Sequence, residues 1–251
     1  MPLGVRGAAK PRRGQIFRTT RDRRQRTQIP VWLAATCVAL VVLLGNIGCG
    51  GGSGDGSGDG TGGSPAAYQA ARAPTPSTEA PPWPAPTDPL ARARKAGLRP
   101  ERREQLAYHV HAHLDVFVNG KAVKVPAGLG INTHDPGVRS GRDQNGATYG
   151  GIRRCARPCI SPLHTHDGSG VLHTESPTPT PNRLGQLFVE WGVRLDRSCV
   201  GGFCRPRAPI AFFVDGRRYF GDPRKVGLAD GREIAIVIGS PPAKIPTTSG
   251  F

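Results

Sequence analysis

From Tyr108 to Val118 the chain reads YHVHAHLDVFV. His109, His111, His113 and Asp115 stand at every second position, with Val110, Ala112, Leu114 and Val116 between them. Side chains two apart on a strand point the same way, about 7 Å from each other. The pattern therefore describes a strand with an apolar face for a core and an imidazole face turned to solvent or to a second element. A helix would scatter the same histidines around its circumference.

Other elements can be read around this strand. Asn119-Gly120 closes a hairpin, because both residues tolerate positive φ. IAFFVDGRRYFGD repeats that turn chemistry at Asp215-Gly216, and GREIAIVIG supplies a last buried strand. NRLGQLFVEWGV spaces Leu184, Leu187, Phe188 and Trp191 as one helical face, with Asn182 positioned as cap. Asp88, Pro89 and Gly97 bracket a short helix over DPLARARKAG. Residues 132–158, rich in Gly and Arg, read as a loop. The order predicts an α+β domain: a small mixed sheet with one main helix, β-grasp-like.

The first third of the chain cannot join that core. Gly (35) and Pro (25) are abundant, and crowd the region before residue 90. Residues 1–28 form a basic tail in which nine Lys and Arg face one acid, Asp22. Residues 29–48, IPVWLAATCVALVVLLGNIG, carry no charge and are long enough to span a bilayer. The basic flank then stays cytoplasmic and the rest of the chain lies outside. Cys37 fills space in that segment. Cys49 follows a small residue, as in a lipoprotein signal, although Asn46 stands where a lipobox usually has Leu. An uncleaved anchor and lipidation of Cys49 both stand as readings. Residues 49–87 are a disordered Gly/Ser/Pro stalk, residues 88–241 the folded extracytoplasmic domain, and residues 242–251 a flexible tail.

This distribution bounds the partners. The net charge of +16 suggests nucleic acid, but a membrane-flanking tail accounts for much of it, and nucleic acid is disfavoured. The arginines of residues 139–158 point instead to acidic polymers, lipid headgroups or other envelope proteins.

All seven histidines lie between residues 109 and 173. SPLHTHDGSGVLHTESP places His164 and His166 on one side of an extended segment. It turns at Asp167-Gly168-Ser169-Gly170 and returns with His173 and Glu175 on one face. Imidazoles from two segments can converge on one divalent ion. Zinc or copper suits histidine with oxygen donors, and Met1, the only methionine, excludes a thioether copper site. The expected ligands are His111, His113, His164 and His166 first, then His109 and His173. Asp115, Asp167 and Glu175 serve as further ligands or orient a ring. A hydrogen-bonded histidine network and a pH-responsive interface compete with this reading.

Catalysis is not implied. There is no G-x-S-x-G elbow and no phosphate loop. The spacings of cupins and metallo-β-lactamases are not met. A small metallo-hydrolase with Glu175 or Asp167 as base is the remaining enzymatic reading. In an oxidising compartment the four cysteines allow three pairings, of which Cys199–Cys204 across Gly201-Gly202, with Cys155–Cys159, is favoured. A four-cysteine zinc site is the alternative.

HVHAHLDVFVNG, VPAGLGI, CISPLHTHDGSGVLHTESP, LGQLFVEWGV and LADGREIAIVIG closely resemble a family of bacterial envelope proteins of unassigned function. Its pattern is HxHxHLDVFVNG with CISPLHTHDxSGxxHxES. The resemblance covers roughly residues 88–240 and implies a short anchored or secreted domain. It implies no reaction. The long basic N-terminus is not part of the family pattern.

Overall fold

The computed structural model describes residues 75–248. The basic tail, the apolar run, Cys49, the stalk up to residue 74 and residues 249–251 lie outside the described residues. Among the described residues no helix is long and apolar enough to cross a membrane.

In chain order the elements are α1 (Pro89–Lys95), β1 (Tyr108–Val118), β2 (Lys121–Val123), β3 (Arg139–Asp143), β4 (Gly146–Gly150), β5 (Leu163–His164), β6 (Val171–Ser176), α2 (Leu184–Trp191), β7 (Cys199–Val200), β8 (Phe203–Cys204), β9 (Ile210–Val214), β10 (Arg217–Tyr219), a 3-10 turn at Pro223–Lys225 and β11 (Arg232–Ile238). The fold is α+β. The main sheet runs β10-β9-β11-β1-β6-β5, with β2 also on β1. The first and last long strands, β1 and β11, lie parallel at its centre. Helix α2 makes the crossover between the β6 side and β9, which is the β-grasp-like connectivity the sequence predicts. The long β1 uses one edge twice: residues 108–113 pair with β6 and residues 116–118 with β2.

Alternation along β1 sorts its residues as expected. Ala112, Leu114 and Val116 are buried in one apolar cluster with Leu172, Ile234 and Ile236 of the neighbouring strands and Leu187, Phe188 and Trp191 of α2. The odd-numbered residues occupy the other face. Helix α2 begins one residue later than the Asn182 cap predicts. Arg183 is the N-cap, and its backbone N–H donates to the Gln186 side chain (2.9 Å). Asn182 is buried instead, and its amide donates to Thr174 on β6 (3.4 Å). It ties the helix entry to the sheet.

Two stretches differ from the sequence expectation. The Pro-rich stalk, expected to run to residue 87, is packed against the domain from its end near Ser77. Ser77 bridges to Val193, and Trp83 is 3 % exposed. The Trp83 carbonyl accepts from the Trp191 indole N–H at 3.0 Å, and the two rings meet edge to face. A buried indole contributes through its large apolar area provided its N–H finds a partner, so one residue anchors an otherwise coreless segment. The stretch 132–158 also contains structure, the hairpin β3–β4. Asp143 accepts from the Asn145 N–H (2.7 Å) and shapes its turn. Strand β3 is exposed throughout, so no alternation marks it.

A second small core holds this region together: Ile131, Val138, Ile152 and Ile160 around the Cys155–Cys159 disulfide. Cys199 and Cys204 are joined across β7–β8. Both sulfur pairs stand at 2.11 Å.

The β1–β2 turn puts Asn119 at φ 49° and Gly120 at φ 76°. A Cβ on Gly120 would also stand 3.3 Å from the Pro241 carbonyl oxygen. Gly120→Ala is expected to cost about 1–2 kcal/mol, the penalty of a left-handed L-residue. Urea denaturation would read it as a lowered midpoint at unchanged m-value.

Candidate metal centre

Strand register builds the site. Across β1 and β6, His111 stands opposite His173 and His109 opposite Glu175. Across β5 and β6, His164 stands opposite the same His173. One row of the sheet thus reads His111–His173–His164, with His109 and Glu175 in the next row. His166, two residues past His164, returns to the same side. Residues 128–131 lie flat against residues 161–165: the Leu129 and Gly130 carbonyls accept from the Thr165 and Ser161 N–H groups, and the Gly128 N–H donates to the Thr165 carbonyl. Gly130 permits that approach: its φ is 71°, and a Cβ there would collide with the Leu163 carbonyl oxygen.

The donor atoms crowd together. His111 Nε2 is 3.1 Å and His109 Nε2 3.3 Å from His173 Nδ1. His164 Nε2 is 3.3 Å from His166 Nε2. Glu175 Oε1 lies 3.3 Å from His109 Nε2, 3.7 Å from His164 Nε2 and 3.8 Å from His173 Nδ1. Two nitrogens on one tetrahedral zinc, each bonded at about 2.05 Å, stand about 3.3 Å apart.

Hydrogen bonding decides what the His164–His166 contact is. His164 Nδ1 donates to the Ser161 carbonyl (2.9 Å), and His166 Nδ1 donates to the Tyr149 carbonyl (2.5 Å). A carbonyl oxygen only accepts, so each Nδ1 carries the proton and each neutral ring presents a bare lone pair at Nε2. Two lone pairs facing each other at 3.3 Å repel unless a cation lies between them. Fixing one ring nitrogen on a backbone carbonyl while the other points inward is how metal-binding histidines are oriented.

The electrostatics favour the neutral, ligand form. Burial, then the neighbouring His166 and His173, pushes His164 well below the ordinary histidine value. Burial and the rings of His166, His111 and His109 push His173 down to about 3. His111 is lowered by burial and by His109, with Asp230 opposing. Burial, helped by Glu104 and opposed by the Gln105 backbone N–H, raises the Glu175 carboxyl to about 7. Glu175 Oε2 is buried with no hydrogen-bond partner, which is costly without a compensating charge.

No family model, curated protein or solved structure matches the chain. The reading of the site therefore rests on its geometry.

Two donor sets include most of the expected ligands: His164, His166, His173 and Glu175 in one, and His109, His111 and His173 in the other. His113, expected among the first ligands, is drawn elsewhere. The parallel register of β1 on β11 sets it opposite Glu233. Its Nε2 donates to the Ser169 carbonyl (2.9 Å), and its Nδ1 meets Glu233 Oε2 at 3.0 Å. Bonding to Glu233 raises the His113 pKa, as befits an imidazolium–carboxylate pair. Asp115 joins this group, 3.6 Å from His113, so that His113, Asp115 and Glu233 make a third donor group apart from the histidine cluster. Asp167 accepts from the Ser169 N–H (2.8 Å) within its turn and belongs to neither set.

Two acids escaped the sequence reading. Glu233 is the one buried charge of β11, which is apolar from Ile234 onward, a signal that alternation could have flagged. Glu104 sits in an irregular segment with its carboxylate 3.9 Å from His166 Nε2. It carries no sequence pattern. With Arg139, Tyr149 and His166 it lines a cavity of about 350 Å³ beside the cluster.

Proposed function

We propose that this protein is a membrane-tethered envelope protein whose extracytoplasmic domain binds one divalent transition metal ion, zinc or copper. His164, His166, His173 and Glu175 hold the ion. The observation that carries the reading is the pair of facing Nε2 lone pairs at 3.3 Å, each ring fixed by a backbone carbonyl. Three nitrogens and a carboxylate oxygen make a closed four-ligand set, the kind that retains an ion rather than activating water. Storage, sensing or handover of the ion fits such a set better than hydrolysis. Asp167, engaged in its turn, is no candidate base, and Glu175 is drawn into the ligand set.

Tethering is supported by the charge-free run at residues 29–48 and by its basic flank, with Cys49 as an alternative lipid attachment. The two disulfides fit an oxidising compartment. The exposed arginines of β3 and of the loop after β4 suit acidic polymers or other envelope proteins as contacts.

The test is elemental analysis of the full chain, purified in detergent without a His tag and equilibrated with micromolar zinc or copper. One ion per chain is expected, and its loss in His164→Ala/His166→Ala. No ion in the wild type, or an equal content in the double variant, overturns the reading.

A further inference from the structure

The two donor sets meet at His173, and they differ in access. The side chain of His109 is 32 % exposed, that of His173 16 %, that of Glu175 3 % and that of His164 0 %. The outer set, His109, His111 and His173, supplies three imidazoles and leaves a coordination position open to water. The inner set offers four ligands and is the more deeply set at His164 and Glu175, while His166, 24 % exposed, borders the cavity beside it. Open three-ligand positions exchange what they hold, and closed four-ligand positions keep it.

The steps between the sets are short. His109 Nε2 is 3.3 Å from both His173 Nδ1 and Glu175 Oε1, and Glu175 Oε1 is 3.7 Å from His164 Nε2. These are close to the edge lengths of one coordination polyhedron. An ion can therefore give up His109 and His111 one at a time while taking Glu175, His164 and His166, with His173 bound throughout. No bond other than the metal–ligand bonds breaks, and no electron or proton has to be supplied from outside the site.

Resting on the metal reading above, we propose that His109, His111 and His173 form a separate entry position through which a divalent zinc or copper ion reaches and leaves the inner set. Because His173 serves both positions, one ion is held at a time. His109 and His111 act on the rate of transfer and not on the final affinity. The competing route is the cavity at His166, which reaches the inner set from the side of Glu104 and Arg139.

The experiment follows zinc uptake by the full chain in stopped flow, and zinc release to excess chelator. The variants are His109→Ala/His111→Ala and, to preserve the strand surface, His109→Gln/His111→Gln. Circular dichroism confirms that each is folded. Both variants are expected to keep one ion per chain, with uptake and release slowed by the same factor, about tenfold or more, the scale on which loss of a supporting partner acts at metal sites. Unchanged rates in both variants overturn the proposal and leave the His166 cavity as the route. Loss of the ion makes His109 and His111 ligands of the resting site and overturns it equally. Two ions per wild-type chain would show that His173 does not force exclusive occupancy, which also overturns it. A wild type that takes no ion defeats the underlying metal reading, a different result from any of these.

Discussion

Zinc at a hundred times its dissociation constant is expected to raise the free energy of unfolding by about 2.7 kcal/mol, and a chelator to remove that gain in full. The increment arises because the ion binds a set that exists only when β5 and β6 are in register. His164, His166, His173 and Glu175 are separated in the unfolded chain. In the metal-free fold the facing Nε2 atoms of His164 and His166 repel, and Glu175 Oε2 is buried without a partner. The ion converts both costs into bonds. In His164→Ala/His166→Ala, the same zinc concentration is expected to add less than about 0.5 kcal/mol, since a hundredfold loss of affinity brings the ligand down to its dissociation constant. Thermal or urea unfolding with and without zinc measures this. An undiminished increment in the double variant would mean that the ion binds elsewhere.

How much of this was legible follows from the range of each signal. The face of β1, the turns at Asn119-Gly120 and Asp215-Gly216 and the pairing of His164 with His166 depend on neighbours a few residues apart, and the sequence displays them directly. The convergence of His109, His111 and His173 was foreseeable as a possibility because β1 and β6 each have a polar face. The fate of His113 was not. It depends on a parallel register between β1 and β11, strands more than a hundred residues apart, which sets it opposite Glu233. Trp83 was hidden for another reason. Composition averages over a window, and a Pro-rich window conceals one indole whose N–H and carbonyl both find partners. Glu104 has neither periodicity nor a motif, and only the closed fold brings it to His166.

The second large effect comes from α2. Glu190 is fully buried, and neither of its carboxyl oxygens makes a close hydrogen bond, the Ser161 hydroxyl being the polar group nearby. Burial pushes its pKa well above the ordinary value, and the Ser161 hydroxyl only partly opposes this. An unfolded glutamate titrates near 4.3. Between that value and the raised folded value, the folded chain keeps a proton that the unfolded chain has lost. Stability from this group is therefore complete below about pH 4 and declines as pH rises, by up to about 1.4 kcal/mol per pH unit. Glu190→Gln cannot ionise and lacks this slope. Unfolding free energies of wild type and variant, measured in urea from pH 5 upward, are expected to diverge in favour of the variant until the pH at which the folded carboxyl ionises. Glu175 and Glu233, both raised, slope the same way, while the lowered His164 and His173 slope the opposite way. All four are present in both proteins and cancel in the difference. Parallel curves would mean that Glu190 is charged in the fold with a partner that its surroundings do not reveal. The divergence bears on the site as well, because Ser161 offers its hydroxyl toward Glu190 and its carbonyl to His164. A charged Glu190 would pull on the residue that fixes the His164 ring, so the protonated carboxyl on α2 and the inward-pointing Nε2 of His164 belong to one arrangement.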